Sequence, residues 1–375
     1  MSKPDINKNR LLKTFIELVE VNSPSFHEEK IGRLLTAMLT DRGCKVINQR
    51  YNQSFNLVAY KKGNIRKIPS LLLSGHMDTI ESTEGIQFSI LPEDRVSSTG
   101  NTVLGADDKS ALAQILEALS VLQENDIPHG DLEIVFTSAE EKGLHGAKNL
   151  EFERIISRCG LVLDSGGSVG RLVIAAPTHV TYEMRISGKS AHAGIEPERG
   201  ISAIRLASEI ISSIPNGRIS AETTANIGII TGGTATNVVP KEVLISGELR
   251  SHDEKVLRKT KKNIFDTARR IVKNNKAGIR IHEVEEYQAF RINEGDSFLQ
   301  FMTKVVSDCG IKPLHVITGG GSDANIFNKQ GIKTINISTG MQKVHSSEEF
   351  ILLKDLYRGS QVVLTAIKEF VNFHG

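Results

Sequence analysis

Cysteine is scarce in this sequence, and the few cysteines form no pattern. Cys44, Cys159 and Cys309 stand far apart in a chain of 375 residues, without the Cys-x-x-Cys spacing of a thiolate zinc site. An odd number of widely spaced cysteines also gives no disulfide framework. We therefore expect a cytoplasmic protein, in which thiols stay reduced.

Long apolar runs and an excess of one charge are missing as well. No stretch reaches the roughly 18 uninterrupted apolar residues of a membrane-spanning helix, and the N-terminal MSKPDINKNR is polar, so no signal peptide is predicted. The 46 basic and 44 acidic residues leave a formal net charge of +2, which gives no basic field for nucleic acid. Neither a membrane nor a nucleic acid is expected as a partner.

Strand-like and helix-like segments alternate through the first part of the chain. The strand-like segments are NLVAY (56–60), SLLLSG (70–75), LEIVFTS (132–138) and GLVLD (160–164). Between them, residues 108–125 have helical periodicity, with one apolar face formed by Leu112, Ile115, Leu116, Leu119 and Leu122. This alternation predicts an α/β domain with a mostly parallel sheet flanked by helices.

The pattern changes at about residue 178. HVTYEMRISG alternates, with Val180, Tyr182, Met184 and Ile186 on one side, and the segments that follow complete the order β-α-β-β-α-β. That order is the ferredoxin-like α+β arrangement. We predict an inserted lid domain over residues 177–287, and a discontinuous catalytic domain made of residues 1–176 and 288–375.

Imidazole and carboxylate side chains follow the predicted strands or open the long helix. They are His76 and Asp78 in GHMDT, Asp107 in GADDKS, Glu140 and Glu141 in SAEEKG, Asp164 in VLDSGG, and His345 in KVHSSEEF. Because the carboxyl ends of parallel strands open on one crevice, we expect these side chains to converge there. Such nitrogen and oxygen ligands suit zinc, with cobalt or manganese as substitutes.

The size of this set favours two ions rather than one. Two ions about 3.5 to 4 Å apart need a bridging carboxylate and leave room for a water whose pKa falls towards about 7. Of the adjacent pair Glu140 and Glu141, one can bind metal while the other takes a proton from that water. Asp78 can hold the second ring nitrogen of His76.

Each of these residues, taken alone, has an ordinary structural interpretation. A single histidine such as His76 or His345 is more often a core or surface residue than a ligand. Asp107 alone would be a good helix N-cap, and Asp164 before Ser-Gly-Gly a turn residue. The pair Glu140-Glu141 alone would be solvated charge. The joint pattern is what favours a metal centre.

The five motifs, in this order and around an inserted domain, resemble the co-catalytic dizinc hydrolases, the family that includes peptidase T, carboxypeptidase G and acetylornithine deacetylase. The resemblance covers nearly the whole chain and is greatest to the peptidase T branch. It implies two Zn²⁺ ions per chain. Its site residues would be His76 and Asp164 on one zinc, Glu141 and His345 on the other, Asp107 bridging both, Glu140 as general base and Asp78 as the partner of His76.

The resemblance also assigns substrate contacts to the inserted domain, at His192 in SGKSAHAG, Asn237 in GGTATNVVP and Arg250 in SGELRS. Arginine takes a carboxylate bidentately, and histidine and asparagine can donate hydrogen bonds to a developing oxyanion. Alternatively, Arg250 pairs only with Asp253 or Glu254. A homodimer through the lid domain is expected from the resemblance alone.

Three functions are compatible with this residue set. The first is a zinc aminopeptidase that releases the N-terminal residue of short peptides, as a tripeptidase does. The second is an amidohydrolase that deacylates N-acyl amino acids with the same metals and base. The third is an inert metal-binding scaffold, which would not need Glu140. The presence of Glu140 favours an enzyme.

Overall fold

The computed structural model describes residues 5–52, 54–92 and 94–374, so the first four residues of the polar N-terminal stretch lie outside it. Its strands are β1 (Lys45–Tyr51), β2 (Ser54–Lys61), β3 (Leu71–His76), β4 (Phe88–Leu91), β5 (Arg95–Ser98), β6 (Leu132–Thr137), β7 (Cys159–Ser165), β8 (Arg171–Ala176), β9 (Thr178–Ser187), β10 (Gly217–Ser220), β11 (Thr223–Gly232), β12 (Glu242–Ser251), β13 (Gly278–Tyr287), β14 (Phe290–Arg291), β15 (Leu314–Ile317), β16 (Lys333–Ser338) and β17 (Phe350–Leu352). Its α-helices are α1 (Lys8–Val19), α2 (Glu29–Asp41), α3 (Ala106–Glu124), α4 (His145–Lys148), α5 (Ala203–Ser213), α6 (Glu254–Asn274), α7 (Ser297–Asp308), α8 (Asp323–Lys329) and α9 (Leu353–Glu369).

The chain divides into two units. The discontinuous unit runs up to Ile174 and takes up the chain again over Arg291–Ile317 and from Ser322 onwards. The inserted unit comprises Ala175–Phe290 together with Thr318–Gly321. The sequence pattern does not reveal that Thr318–Gly321 belongs to the inserted unit, because this depends on contacts between distant residues. The amide of Thr318 donates to the carbonyl of Ala175 at 3.0 Å, and Gly321 packs against Tyr287.

The large sheet has the strand order β1-β2-β6-β3-β7-β16-β8-β14, with β15 paired to β8. Its central strands β6, β3, β7 and β16 are parallel neighbours. The strands β1, β2 and β8 pair in antiparallel fashion around them. The predicted α/β fold is confirmed, and its parallel part is the centre of the sheet. The carboxyl ends of the four central strands therefore lie at one edge.

Strand β3 and helix α3 form the middle of the discontinuous unit. Every residue of β3 is buried, because neighbouring strands pair on both sides and α3 packs on the sheet. Helix α3 is buried from Ala106 to Leu122, since α1 and α9 also pack on it. This corrects the expectation of a single apolar face. Two of the buried polar residues of α3 have these partners: Glu117 pairs with Arg10 at 2.7 Å, and Gln114 donates to the carbonyl of Thr339 at 2.8 Å.

The inserted unit is an antiparallel sheet of order β10-β11-β12-β9-β13 with α5 and α6 packed on one face. Leaving aside the short edge strand β10, the chain order β9-α5-β11-β12-α6-β13 is the predicted ferredoxin-like arrangement. The alternating apolar residues of β9 form its core, as expected: Val180, Tyr182, Met184 and Ile186 are all buried. The opposite face of the sheet carries Glu248 and Arg250.

In the part of the chain that the structure describes, no helix has the length and apolar character needed to cross a membrane. A small third sheet, of order β17-β5-β4, lies in the discontinuous unit. It places β17 beside β5, with Phe350 opposite Ser97. Strand β17 directly follows the segment that contains His345.

Candidate metal centre

The parallel centre of the sheet positions four of the candidate segments. His76 is the last residue of β3, Asp164 lies at the end of β7, and Glu140 follows the end of β6. His345 belongs to the segment between β16 and β17, and Asp107 lies in the first turn of α3. All five belong to the discontinuous unit.

Asp107 lies between the two histidines, and each of its carboxylate oxygens faces one of them. Its Oδ1 is 3.1 Å from Nε2 of His76, and its Oδ2 is 3.2 Å from Nε2 of His345. The second histidine also approaches Glu141, with 2.9 Å between Nε2 and Oε1. One carboxylate shared between two imidazoles is the arrangement that a bridging ligand requires.

Asp164 and Glu140 complete the cluster on the side of His76. Asp164 Oδ1 is 3.9 Å from Nε2 of His76. Ligand atoms of His76, Glu140 and Asp164 lie within 4.8 Å of one another, and so do those of His76, Asp107 and Glu141. His76 belongs to both groups. In each group one imidazole and two carboxylates therefore lie within the reach of a single ion, and His345 is close to Asp107 and Glu141 of the second group.

Asp78 has a wider role than the sequence indicated. The closest contact of the His76 Nδ1 atom is the backbone carbonyl of Asp78, at 3.0 Å, while the carboxylate oxygen Oδ1 is 3.4 Å away. The carboxylate accepts hydrogen bonds from the amide of Glu140 at 3.0 Å, the amide of Glu141 at 3.3 Å and the hydroxyl of Ser25 at 2.7 Å. Asp78 thus fixes the backbone that carries the two adjacent glutamates.

The histidines supply positive charge to this cluster. Hydrogen bonds to Asp107 and Glu141 raise the pKa of His345 to about 10. Burial opposes a charged His76, but its hydrogen bonds to Asp107 and Asp78 hold its pKa well above the usual value. For Asp107 itself, burial would raise the pKa, and the hydrogen bonds from His345 and His76 outweigh it, so that the pKa is lowered.

The other carboxylates are not compensated in this way. Burial, followed by the charge of Asp107, raises the pKa of Asp164 well above its ordinary value, and burial with the charge of Asp164 does the same for Glu140. The negative charge of the buried carboxylates thus exceeds the positive charge of the two imidazoles. This excess favours the binding of divalent cations among the carboxylates. Two histidines and four carboxylates are also the donor set that Zn²⁺, Co²⁺ and Mn²⁺ accept. The residues present fit a pair of divalent ions.

The ordinary structural interpretations do not describe these residues. Asp107 has the extended backbone geometry (φ −82°, ψ 102°) that N-cap residues adopt, but its carboxylate contacts the imidazoles of His76 and His345. Asp164 lies in a strand instead of a turn. Glu140 is buried, and the side chain of Glu141 is only 7% exposed, so the pair is not solvated charge.

The three candidate residues of the inserted unit do not form one cluster. His192 and Asn237 are exposed and lie on adjacent segments, since the amide of Ala193 donates to the carbonyl of Asn237 at 3.0 Å. Arg250 lies on β12 and its ion-pair partner is Glu248, at 3.1 Å. The alternative partners weighed from the sequence are engaged elsewhere, Asp253 as the N-cap of α6 and Glu254 with Arg258.

Sequence reasoning missed three buried acids that border the cluster. Glu28 accepts a hydrogen bond at 2.8 Å from the amide of Ala139, the residue that precedes Glu140. Asp323 accepts from the hydroxyl of Thr137 at the end of β6. Glu349 accepts from backbone amides at the start of α3. The sequence does not distinguish these three acids from ordinary surface residues, because acidic residues in polar segments are usually exposed.

The chain is similar to known proteins in both sequence and fold. The model of peptidase family M20/M25/M40 matches residues 72–369. The aminopeptidase PepT of Bacillus cereus ATCC 10987 is 37% identical, with a TM-score of 0.89 over 97% of this chain and 99% of that one. A tripeptidase of Staphylococcus aureus subsp. aureus Mu50 is 34% identical, with a TM-score of 0.94 over 98% and 99% of the two chains. The uncharacterized protein YqjE of Bacillus subtilis (strain 168) is 36% identical over 97% of this chain and 99% of its own length.

Proposed function

The chain belongs to peptidase family M20/M25/M40, as a peptidase T-like member, and on that premise we propose that it is a dizinc aminopeptidase that releases the N-terminal residue of short peptides, as a tripeptidase does. The observation that carries the proposal is the position of Asp107, whose two oxygens face two different histidines. Co²⁺ or Mn²⁺ would substitute for Zn²⁺ in the same ligands.

The proposed ligands divide into two sets around the shared carboxylate. His76 and Asp164 would hold one ion, Glu141 and His345 would hold the other, and Asp107 would serve both. When bound, two such ions polarise the scissile carbonyl and lower the pKa of a water molecule. The distances within the cluster support this division, because His345 and Glu141 approach each other at 2.9 Å while Asp164 lies on the side of His76.

Glu140 is the proposed general base. Its carboxylate accepts the proton of the attacking water and then donates it to the nitrogen of the leaving amine. Burial and the charge of Asp164 raise the pKa of Glu140 above its ordinary value, which supports a role in which its carboxyl group takes up and returns a proton. Asp78 supports this role, because it holds the amides of Glu140 and Glu141.

The proposed substrate contacts lie in the inserted unit. Arg250 binds the terminal carboxylate of the peptide, and His192 and Asn237 donate hydrogen bonds to the developing oxyanion. The exposure of His192 and Asn237 supports roles in binding rather than in the core. A cytoplasmic location and a homodimer formed through the inserted unit stay predictions from the sequence.

A matched panel of substrates tests the proposed function. The metal-stripped protein and the protein reconstituted with Zn²⁺ or Co²⁺ are given free-amine di- and tripeptides, an N-blocked tripeptide, and N-acetyl and N-succinyl amino acids. We expect metal-dependent release of the N-terminal residue, greatest with tripeptides and abolished by the N-terminal block. Turnover of the N-acyl amino acids alone would show that the protein is a deacylase and would not contradict the proposed metal centre. Failure to hydrolyse any substrate of the panel with two ions bound would refute both the aminopeptidase and the deacylase function.

A further inference from the structure

Glu349 is a buried carboxylate that holds the turn containing Asp107. Its side chain is 1% exposed. Its Oε2 accepts a hydrogen bond from the amide of Gly105 at 2.8 Å, and its Oε1 accepts one from the amide of Asp107 at 2.9 Å. Both oxygens of one carboxylate are therefore engaged by two backbone amides of a single turn.

The backbone of Glu349 is itself fixed. Its amide donates to the carbonyl of Ser346 at 3.0 Å, and its carbonyl accepts from the hydroxyl of Ser97 at 3.4 Å. The next residue, Phe350, begins β17 and pairs with Ser97 of β5. The carboxylate is thus presented from a short strand pair and not from a free loop.

The turn that it holds needs such support. Gly105 has a left-handed backbone (φ 75°), and Asp107 departs from helical geometry (φ −82°, ψ 102°) at the start of α3. Amides in the first turn of a helix have no partner within the helix. Because the Glu349 carboxylate supplies that partner, it determines the direction in which the Asp107 side chain leaves the backbone.

Glu349 also belongs to the segment that carries His345, four positions earlier. One short segment therefore contributes the imidazole that faces Asp107 Oδ2 and the carboxylate that holds the Asp107 backbone. Any displacement of the turn relative to this segment would change the distance between Asp107 and His345.

We propose that Glu349 is a positioning residue that sets the separation of the two metal positions, by locking the Asp107 turn to the segment that carries His345. The proposal rests on the metal centre proposed above. Removing a group that orients a metal ligand typically weakens metal affinity by about 10- to 100-fold. Since Asp107 faces both histidines, the loss of Glu349 should weaken the binding of both ions.

Glu349→Gln is the informative substitution. It preserves the size of the side chain but offers one acceptor and one donor, whereas two amides of the turn both need acceptors. Glu349→Asp keeps both acceptor oxygens on a shorter side chain, so it should recover part of the affinity that glutamine loses.

Glu133→Gln is the matched control. Glu133 is also 1% exposed and also accepts from backbone amides, at 3.1 Å from Ile156 and 2.7 Å from Ser157. It lies near the start of β6, while the candidate ligands follow the end of that strand. Its replacement should lower the free energy of unfolding without changing metal affinity.

The experiment titrates Co²⁺ into the metal-stripped full-length proteins and records stoichiometry, affinity and the visible absorption spectrum. We expect the wild type and Glu133→Gln to bind two ions alike, and Glu349→Gln to bind at least about tenfold more weakly with an altered spectrum. Equal affinity and spectrum in Glu349→Gln, or an equal loss in Glu133→Gln, would overturn the positioning role while leaving the metal centre intact. A wild type that binds no Co²⁺ would overturn the metal centre and the positioning role together. If Glu349→Gln does not fold, Glu349→Asp decides by the same spectrum and affinity.

Discussion

Glu248 accepts two parallel hydrogen bonds from the guanidinium of Arg250, from Nε to Oε1 and from Nη2 to Oε2, each 3.1 Å long. The remaining nitrogen, Nη1, donates to the hydroxyl of Tyr287 at 3.2 Å and to the carbonyl of Gly319 at 3.4 Å. His179 Nε2 lies 3.0 Å from the Oε2 atom of Glu248. Four of the five N–H groups of the guanidinium are thus engaged, which holds it in one orientation on β12.

Replacing Arg250 by lysine should impair the binding of peptides through their C-terminal carboxylate. Lysine keeps the charge but loses the planar fork. Since a hydrogen bond to a charged group contributes about 1.5 kcal/mol or more, KM for free tripeptides should rise about tenfold, with kcat little changed. Steady-state kinetics with free tripeptides and their C-terminal amides measures this.

Arg185→Lys controls for the general loss of an arginine from the same sheet, because Arg185 pairs with Glu242 at an exposed position. This variant should leave KM unchanged. An equal rise in KM for the amides and the free tripeptides in Arg250→Lys would assign Arg250 a structural role instead of a substrate contact.

The contacts of the Glu248 carboxylate predict that the stability of the protein depends on pH. The hydrogen bond from His179 and those from Arg250 lower the pKa of Glu248 from 4.5 to about 2. A lowered pKa in the folded state stabilises the fold above the unfolded-state pKa, and this contribution is lost as the pH falls from about 4.5 to about 2. Wild type should therefore be more stable than Glu248→Gln at pH 7, and the difference should shrink below pH 4.5. The unfolding midpoints of both proteins are measured from pH 7 to the lowest pH at which both unfold cooperatively. A difference in midpoint that stays constant over this range would contradict the prediction.

Substitutions of different proposed ligands should cause the loss of different numbers of metal ions. His345→Asn should remove one ion and retain the other, because His345 contacts Glu141 and one of the two oxygens of Asp107, whereas His76 contacts the other oxygen. Asp107→Asn should weaken both ions, because its oxygens face both histidines. Elemental analysis after dialysis against limiting chelator measures the stoichiometry. His315→Asn, at a histidine that contacts Thr303 and none of the ligands, is the control and should keep two ions. Loss of both ions in His345→Asn would contradict the two-position assignment.

The convergence of the candidate ligands was predictable because it depends on short-range pattern. The runs at 71–76, 132–137 and 159–165 are apolar and of strand length, and in a parallel sheet their ends must meet. Helix α3 was harder to interpret. Glu117, for example, looks solvent-facing in the sequence, and its pairing with Arg10 of α1 allows it to be buried.

The supporting contacts of the site were not predictable from spacing. Glu349 holds Asp107, and Glu28 holds the residue before Glu140, across sequence separations of 242 and 111 residues. No local periodicity encodes such contacts, since they follow from how separate segments pack around the ends of the strands. The pairing of Arg250 with Glu248 is different, because Glu248 stands two positions before it on β12 and both side chains lie on the same face of the strand.

Because α9 packs closely on α3, replacing Gly359 of α9 by alanine should destabilise the protein. Alanine favours a helix over glycine by about 1 kcal/mol. However, a Cβ atom at Gly359 would lie 2.3 Å from the amide nitrogen of Gln114, which is buried and donates to Thr339. Gly359→Ala should therefore lower the free energy of unfolding, by about 1 to 3 kcal/mol. Urea unfolding of the two single variants and of Gln114→Ala/Gly359→Ala measures the coupling. The double variant should be more stable than the sum of the single losses, and strict additivity would show that the contact relaxes at no cost.

Glu140→Gln should separate catalysis from metal binding. Glutamine preserves the size of the side chain but cannot accept the proton of the attacking water, so kcat should fall by at least about 10²- to 10⁴-fold. The five proposed ligands are untouched, and the amide of residue 140 still donates to Asp78. Two ions should therefore remain bound, and KM should change little. Glu198→Gln, at an exposed position, is the matched control and should retain full activity. Single-turnover hydrolysis of a tripeptide, with metal content measured on the same sample, decides the outcome. Full turnover in Glu140→Gln would remove Glu140 as the base, whereas loss of an ion would make it a ligand, a role that its position beside His76 and Asp164 also permits.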